Sequence, residues 1–149
     1  MPGERPDLDN MTCVLLGERH HGLSDGVRGL LETAFGAVFM VADKASLMEG
    51  ADRLQPALVI VDLALAGGDL PCLLDALRNR APSAKVLLLS VHDEPTVAVA
   101  AFAAGADGLV LKRSIASDLL PAVDALLAGR RYVTPLAGYG PATGTSPST

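Results

Sequence analysis

The chain has 149 residues, half of them hydrophobic and 19% charged, with aromatics at only 3% and a formal net charge of −5. That length suits one domain with a core of Leu, Val, Ala and Ile. The acidic balance argues against the chain gripping nucleic acid by itself. No apolar run reaches the length of a membrane helix, and the charged N-terminus MPGERPDLDN lacks a signal-peptide core. A cytoplasmic protein with no membrane partner is expected.

Taken in chain order, short apolar runs alternate with helical patterns. Residues 1–11 read as a disordered N-terminus. Strands are expected near 12–17, 37–42, 58–62, 85–90 and 107–111. Most are continuous apolar runs, as strands covered on both faces require. The first helix, near 22–35, places Leu23, Val27, Leu30, Leu31 and Ala34 on one face. A second lies near 44–54, and a third, near 70–80, carries Leu73, Leu74 and Leu77. The fourth spans 94–104. The fifth, near 117–129, turns Leu119, Leu120, Val123, Leu126 and Leu127 inward. Pro121 is tolerated in a first turn, so Ser117 is the expected N-cap, and Gly129 suits the C-terminus. The segment 132–149, rich in Gly, Pro, Ser and Thr, reads as a linker or disordered tail. The foldable unit is then 12–131. Five βα units with short links imply right-handed crossovers and a doubly wound parallel sheet. Cys13 and Cys72 fall in core segments and read as reduced, buried thiols rather than a disulfide or a metal site.

Four polar residues sit where a hydrophobic run stops. Glu18 follows CVLLG, Asp62 follows ALVIV, Ser90 follows KVLLL, and Lys112 follows DGLVL. In an open parallel sheet the carboxyl ends of the strands line one edge, and ligands bind there. Two carboxylates, a hydroxyl and an ammonium at one edge suit phosphoryl transfer. Asp can act as nucleophile, while Lys and Ser hold phosphoryl oxygens.

The segments VLLGERHHGLSDGVRGLLE, QPALVIVDLALAGGDL, KVLLLSVHDEP, AAGADGLVLK and AGRRYVTP, in this order and spacing, resemble a bacterial response-regulator receiver domain over residues 12–135. The last three are most similar to the NarL/FixJ type, whose receivers usually precede a LuxR-type helix-turn-helix domain. The resemblance implies a flavodoxin-like sheet in the order 2-1-3-4-5 with five helices. It implies that Asp62 accepts a phosphoryl group from a sensor histidine kinase, that Ser90 senses it and that Lys112 pairs with it. Magnesium would be held by an acidic pair after the first strand, by Asp62 and by the backbone carbonyl of Ala64. Such a module is a switch rather than an enzyme. It acts as a homodimer and touches DNA only through a C-terminal domain outside this chain.

Several residues depart from that pattern. The acidic pair is Glu18 and Arg19. Magnesium wants hard oxygen ligands, and Arg19 adds positive charge instead, which weakens or abolishes magnesium binding if it points inward. Arg19 has three possible placements: facing the metal shell, swung out, or paired with Asp62. Leu109 stands where the family often carries a Tyr or Phe switch. Ala66 and Leu70 replace a usual Pro and Gly in the loop after Asp62. His20, His21 and His92 read as loop histidines, since no zinc-type spacing surrounds them. His92, two residues beyond Ser90, occupies a place that modulates phosphoryl hydrolysis in the family. The segment 96–106, TVAVAAFAAGA, has no charge, and reads equally as an Ala-rich helix or as an association surface. Two further function classes stand beside the phospho-switch. One is a phosphorylation-independent module working by dimerisation or ligand binding. The other, ranked last, is an aspartate-nucleophile phosphatase, because DLALA lacks the second Asp of DxDxT.

Overall fold

A computed structural model describes residues 13–134. Along it run β1 (Cys13–Gly17), α1 (His21–Glu32), β2 (Ala37–Val41), α2 (Lys44–Leu54), β3 (Leu58–Asp62), α3 (Leu70–Arg80), β4 (Lys85–Ser90), α4 (Pro95–Ala103), β5 (Gly108–Leu111), α5 (Ile115–Leu127) and β6 (Tyr132–Val133). Short 3₁₀ turns at Leu63–Ala66 and Lys112–Ser114 follow β3 and β5. The sheet is parallel throughout, in the order β2-β1-β3-β4-β5-β6. This is the expected flavodoxin-like order and helix count, extended by one strand.

Alternation along the strands builds two cores, because successive side chains point to opposite faces. Leu15, Val59, Val61, Val86, Leu88 and Leu109 pack beneath α2, α3 and α4. Val14, Leu16, Leu58, Ile60, Leu87, Leu89 and Val110 pack beneath α1 and α5. Both faces are thus covered, which is why the strands read as unbroken apolar runs. Local chemistry sets the helix starts. Asp43 caps α2 by accepting from the Ser46 N–H at 2.8 Å. Asp69 caps α3 by accepting from the Cys72 N–H at 3.2 Å. At the other end of the chain, α5 stops in a Schellman arrangement. The Arg130 N–H bonds the Ala125 carbonyl at 2.8 Å, and Gly129 has φ 85°, a conformation that favours glycine.

Four expectations need correction. Residues 132–134 belong to the sheet: β6 pairs with β5, Val133 and Thr134 are buried, and Thr134 Oγ1 accepts from the Leu111 N–H at 3.2 Å. Two residues are too few to show a period, so this strand was invisible in the sequence pattern. Helix α5 begins at Ile115, not Ser117, which puts the exposed Pro121 in its interior, where water can solvate the carbonyl that the ring leaves without a partner. Leu127 is 41% exposed, and Ala34 lies past the end of α1 and is exposed. Cys72 is exposed and Cys13 only partly buried, so the pair of buried thiols does not hold, although both are free. The expected disordered ends, 1–11 and the tail from 135 onward, lie outside the described residues. No described helix is long and apolar enough to cross a membrane.

Candidate functional site

The carboxyl edge of the sheet is where the sequence pattern placed the chemistry. Glu18 leaves β1 directly after Gly17, and its N–H is held by the Val41 carbonyl at 3.0 Å. The corner is tight at Gly17: a Cβ there would lie 3.1 Å from both Leu47 Cδ1 and Leu65 Cδ1, so those side chains would have to give by a few tenths of an ångström. Asp62 ends β3 and Lys112 follows β5, with β4 lying between those two strands. The two acids are buried, and the lysine side chain is 13% exposed.

Lys112 draws the edge together. Its Nζ donates to Asp62 Oδ2 at 2.9 Å and to Glu18 Oε2 at 3.3 Å, and lies 3.2 Å from Glu18 Oε1. Asp62 Oδ1 accepts from the Ala64 N–H at 3.0 Å. Burial alone would push the Asp62 carboxyl up. The hydrogen bonds from Lys112 and Ala64, with the charge of the ammonium, outweigh it and hold the pKa below the usual carboxylate value. Asp62 is therefore ionised at neutral pH, as a nucleophile must be. One ammonium between two carboxylates leaves the pocket one net negative charge.

Each predicted residue has a definite place. Glu18, Asp62 and Lys112 converge. Ser90 is buried on the neighbouring strand, but its hydroxyl is committed locally: it donates to the His92 carbonyl at 3.0 Å and accepts from the His92 N–H at 2.9 Å. Arg19 is exposed, which resolves its placement in favour of the solvent-facing one; Lys112 takes the partner role at Asp62. Ala64 is exposed in the 3₁₀ turn, with its carbonyl accepting from the Gly67 N–H at 3.3 Å. Leu109 is fully buried in the α2–α4 core. Ala66, Gly68 and Leu70 line a cavity of about 310 Å³ against Thr96, Val97 and Ala100 of α4.

One contact was missed in the sequence. His20 Nδ1 lies 2.9 Å from Glu18 Oε2, and the His20 N–H reaches the same oxygen at 3.2 Å. Its signal was the i, i+2 spacing from an acid just before a helix start. His92 is an exposed loop residue as expected; His21 is exposed too, but it opens helix α1 rather than lying in a loop.

The acids fit a cation. Glu18 Oε1 is buried and has no hydrogen-bond donor, since the nearby ammonium is poorly aligned for one. Such an oxygen, in a pocket with net negative charge, is suited to a metal ion. Glu18 and Asp62 would be the residues holding it.

An open parallel sheet in this order, with an ionised aspartate ending its third strand and a lysine reaching it from the fifth, defines a receiver-type α/β domain. The chain belongs to the response regulator receiver domain family, whose model matches residues 14–124. It is 35% identical over 114 residues to the nitrate/nitrite response regulator protein NarP of Escherichia coli, covering 75% of this chain and 53% of that protein. It is 31% identical over 125 residues to the probable transcriptional regulatory protein NarL of Mycobacterium tuberculosis, covering 82% and 57% respectively. The chain thus spans about half the length of these curated relatives. Among solved structures, a LuxR-family two-component response regulator from Aurantimonas sp. superposes with a TM-score of 0.72 at 30% identity, covering 82% of this chain and 88% of that one.

Proposed function

We propose that Asp62 is a phosphoacceptor fed by a sensor histidine kinase. A carboxylate oxygen of Asp62 attacks the donor phosphorus, the bond from phosphorus to the kinase histidine breaks, and an aspartyl phosphate remains. The observation that carries this reading is the ionised, lysine-bridged Asp62 at the carboxyl edge. Lys112 would follow the phosphoryl oxygens, and Ser90 would donate its hydroxyl to one of them. Glu18, Asp62 and the Ala64 carbonyl would hold magnesium, which would supply charge neutralisation at those oxygens. The output is transcriptional, through a DNA-binding domain outside this chain, and the setting is cytoplasmic. On this reading the active unit is a homodimer joined through α4, β5 and α5, with α1 and α5 as the competing surface. Exposed Val99 and the uncharged α4 support that face. The test is labelling with acetyl phosphate and magnesium. Wild type should gain one phosphoryl group by intact mass and Asp62→Asn none; equal labelling of both proteins overturns the assignment.

A second reading has its own support. Ser90 is satisfied without any phosphoryl group, and Leu109 offers no ring to move. On that reading the domain is a phosphorylation-independent dimerisation or ligand-responsive module, and wild type fails to label even at high magnesium.

A further inference from the structure

The sheet leaves one edge open. β2 is its end strand, and no described strand lies beyond it. Edge strands of soluble proteins are guarded by charge, proline, a bulge or extreme shortness. β2 reads AVFMV and pairs with β1 in unbroken register, so it carries none of these guards. Val38 and Met40 pack partly on the α1 core and Val41 on the α2 core. Phe39 packs in neither and is 44% exposed.

One hydrogen bond fixes the backbone directions. The Val41 carbonyl accepts from the Glu18 N–H at 3.0 Å, so Val41 turns its polar groups toward β1. Successive residues of a strand turn these groups to alternate sides. Phe39 therefore also bonds toward β1, whereas Val38 and Met40 present their N–H and C=O groups outward. Such a row is a template for another strand.

We infer that β2 pairs antiparallel with β2 of a second copy of this chain, about a two-fold axis at Phe39. Val38 and Met40 of one copy exchange hydrogen bonds with Met40 and Val38 of the other. The two Phe39 residues then face each other as a non-hydrogen-bonded pair, with Cα atoms about 4.5 Å apart, where side chains approach closest. Aromatic pairs stabilise that position. Each ring also lies diagonal to Val41 of the other copy, within reach of an aromatic side chain. Val41 lines a cavity of about 360 Å³ with Gly50 and Leu54, which the ring can enter. The register brings no like charges together, since Asp43 falls opposite Phe35 and Lys44 opposite Ala34. A two-fold contact closes on itself, whereas β2 on β6 would propagate head to tail, and β6 offers only two residues. β2 lies at the far end of the sheet from β5 and β6. The contact is thus separate from the α4–β5–α5 face and does not rest on phosphorylation of Asp62.

Three measurements on the full chain test it. Phe39→Lys, which installs the missing edge charge, should weaken self-association in sedimentation by at least about tenfold. In a background with Cys13→Ala and Cys72→Ser, mild oxidation of Phe39→Cys should give a disulfide-linked dimer, because facing Cα atoms about 4.5 Å apart can be bridged. Ala37→Cys should not crosslink, since its two copies lie more than about 13 Å apart along the strands. In wild type, the Val38 and Met40 amides should exchange at least about tenfold more slowly at high protein concentration than at low. The inference is overturned if Phe39→Lys associates as wild type does, if Ala37→Cys crosslinks as readily as Phe39→Cys, or if exchange at Val38 and Met40 is independent of concentration. Association lost in Val99→Glu but kept in Phe39→Lys also overturns it, by placing the contact on α4 alone. Should Phe39→Lys fail to fold, the crosslinking and exchange results decide without it.

Discussion

Replacing Lys112 by methionine keeps most of the side-chain volume and removes the one cation between two buried carboxylates. At an effective dielectric of 20, an ammonium 2.9 Å from Asp62 Oδ2 is worth about 6 kcal/mol of attraction. Glu18, at 3.2 Å, contributes a similar amount. Most of this is offset by the cost of taking three charges out of water, and breaking a buried pair by removing one partner costs about 3–5 kcal/mol. Lys112→Met should therefore lose about that much at pH 7, measured by urea denaturation. The loss should shrink on acidification, and the sign follows from the carboxylates. In wild type the Asp62 pKa is depressed, so its stabilising contribution is complete above the unfolded value of about 3.9 and disappears as pH falls through the folded value. In the variant, two acids without their cation favour taking up a proton, which relieves the strain at mildly acidic pH. A loss under about 1 kcal/mol at pH 7, typical of an exposed pair, would refute the idea that Lys112 holds this edge together. So would a loss that does not change between pH 7 and pH 4.

Arg19→Asp should raise magnesium affinity by adding an oxygen donor beside Glu18, since the arginine already faces solvent; calorimetry reads this, and no change would show that the position lies outside the metal shell. Gly108→Ala should destabilise by about 1–3 kcal/mol. Its Cβ would lie 2.9 Å from Leu126 Cδ1 and Leu87 Cδ1 and 3.1 Å from the Tyr132 carbonyl, and wild-type stability in urea would contradict that crowding. Val99→Glu, at a position 60% exposed, should weaken self-association in sedimentation; a wild type that stays monomeric at high concentration removes the dimer instead. Beryllofluoride with magnesium should shift the dimer equilibrium by less than tenfold, about 1.4 kcal/mol, and a larger shift would restore a conventional phospho-switch.

The strands and the edge residues were legible because both depend on period and order. A parallel sheet covered on both faces leaves unbroken apolar runs, and the residue ending each run must lie on the ligand edge. Asp62, Glu18 and Lys112 follow from that alone. Side-chain direction was not legible. Nothing in the pattern said that Arg19 turns out, that His20 turns back onto Glu18, or that the Ser90 hydroxyl closes on His92. Helical spacing did not settle which face of the uncharged α4 is inside, because its residues are apolar all round. Ala101, a natural position for a charge to disrupt a dimer, is fully buried, so a glutamate there would test folding rather than association. The two-residue β6 lay below the resolution of any periodicity.

The weak response expected of the dimer follows from what Ser90 and Leu109 would have to give up. Drawing the Ser90 hydroxyl toward a phosphoryl oxygen breaks its two bonds to His92, each worth about 0.5–1.5 kcal/mol net. The new bond to a charged acceptor returns about 1.5–3 kcal/mol, so the exchange is close to balanced. In a domain with a large ring at the position of Leu109, vacated space could be filled by that ring and the change passed to the surface. Here Leu109 belongs to the same close-packed core as Ala98, Ala101 and Val133, and has no polar tip. A ligand shifts an equilibrium only by its differential affinity for the two states. With Ser90 near balance and no ring at Leu109 to follow it, that difference should be small.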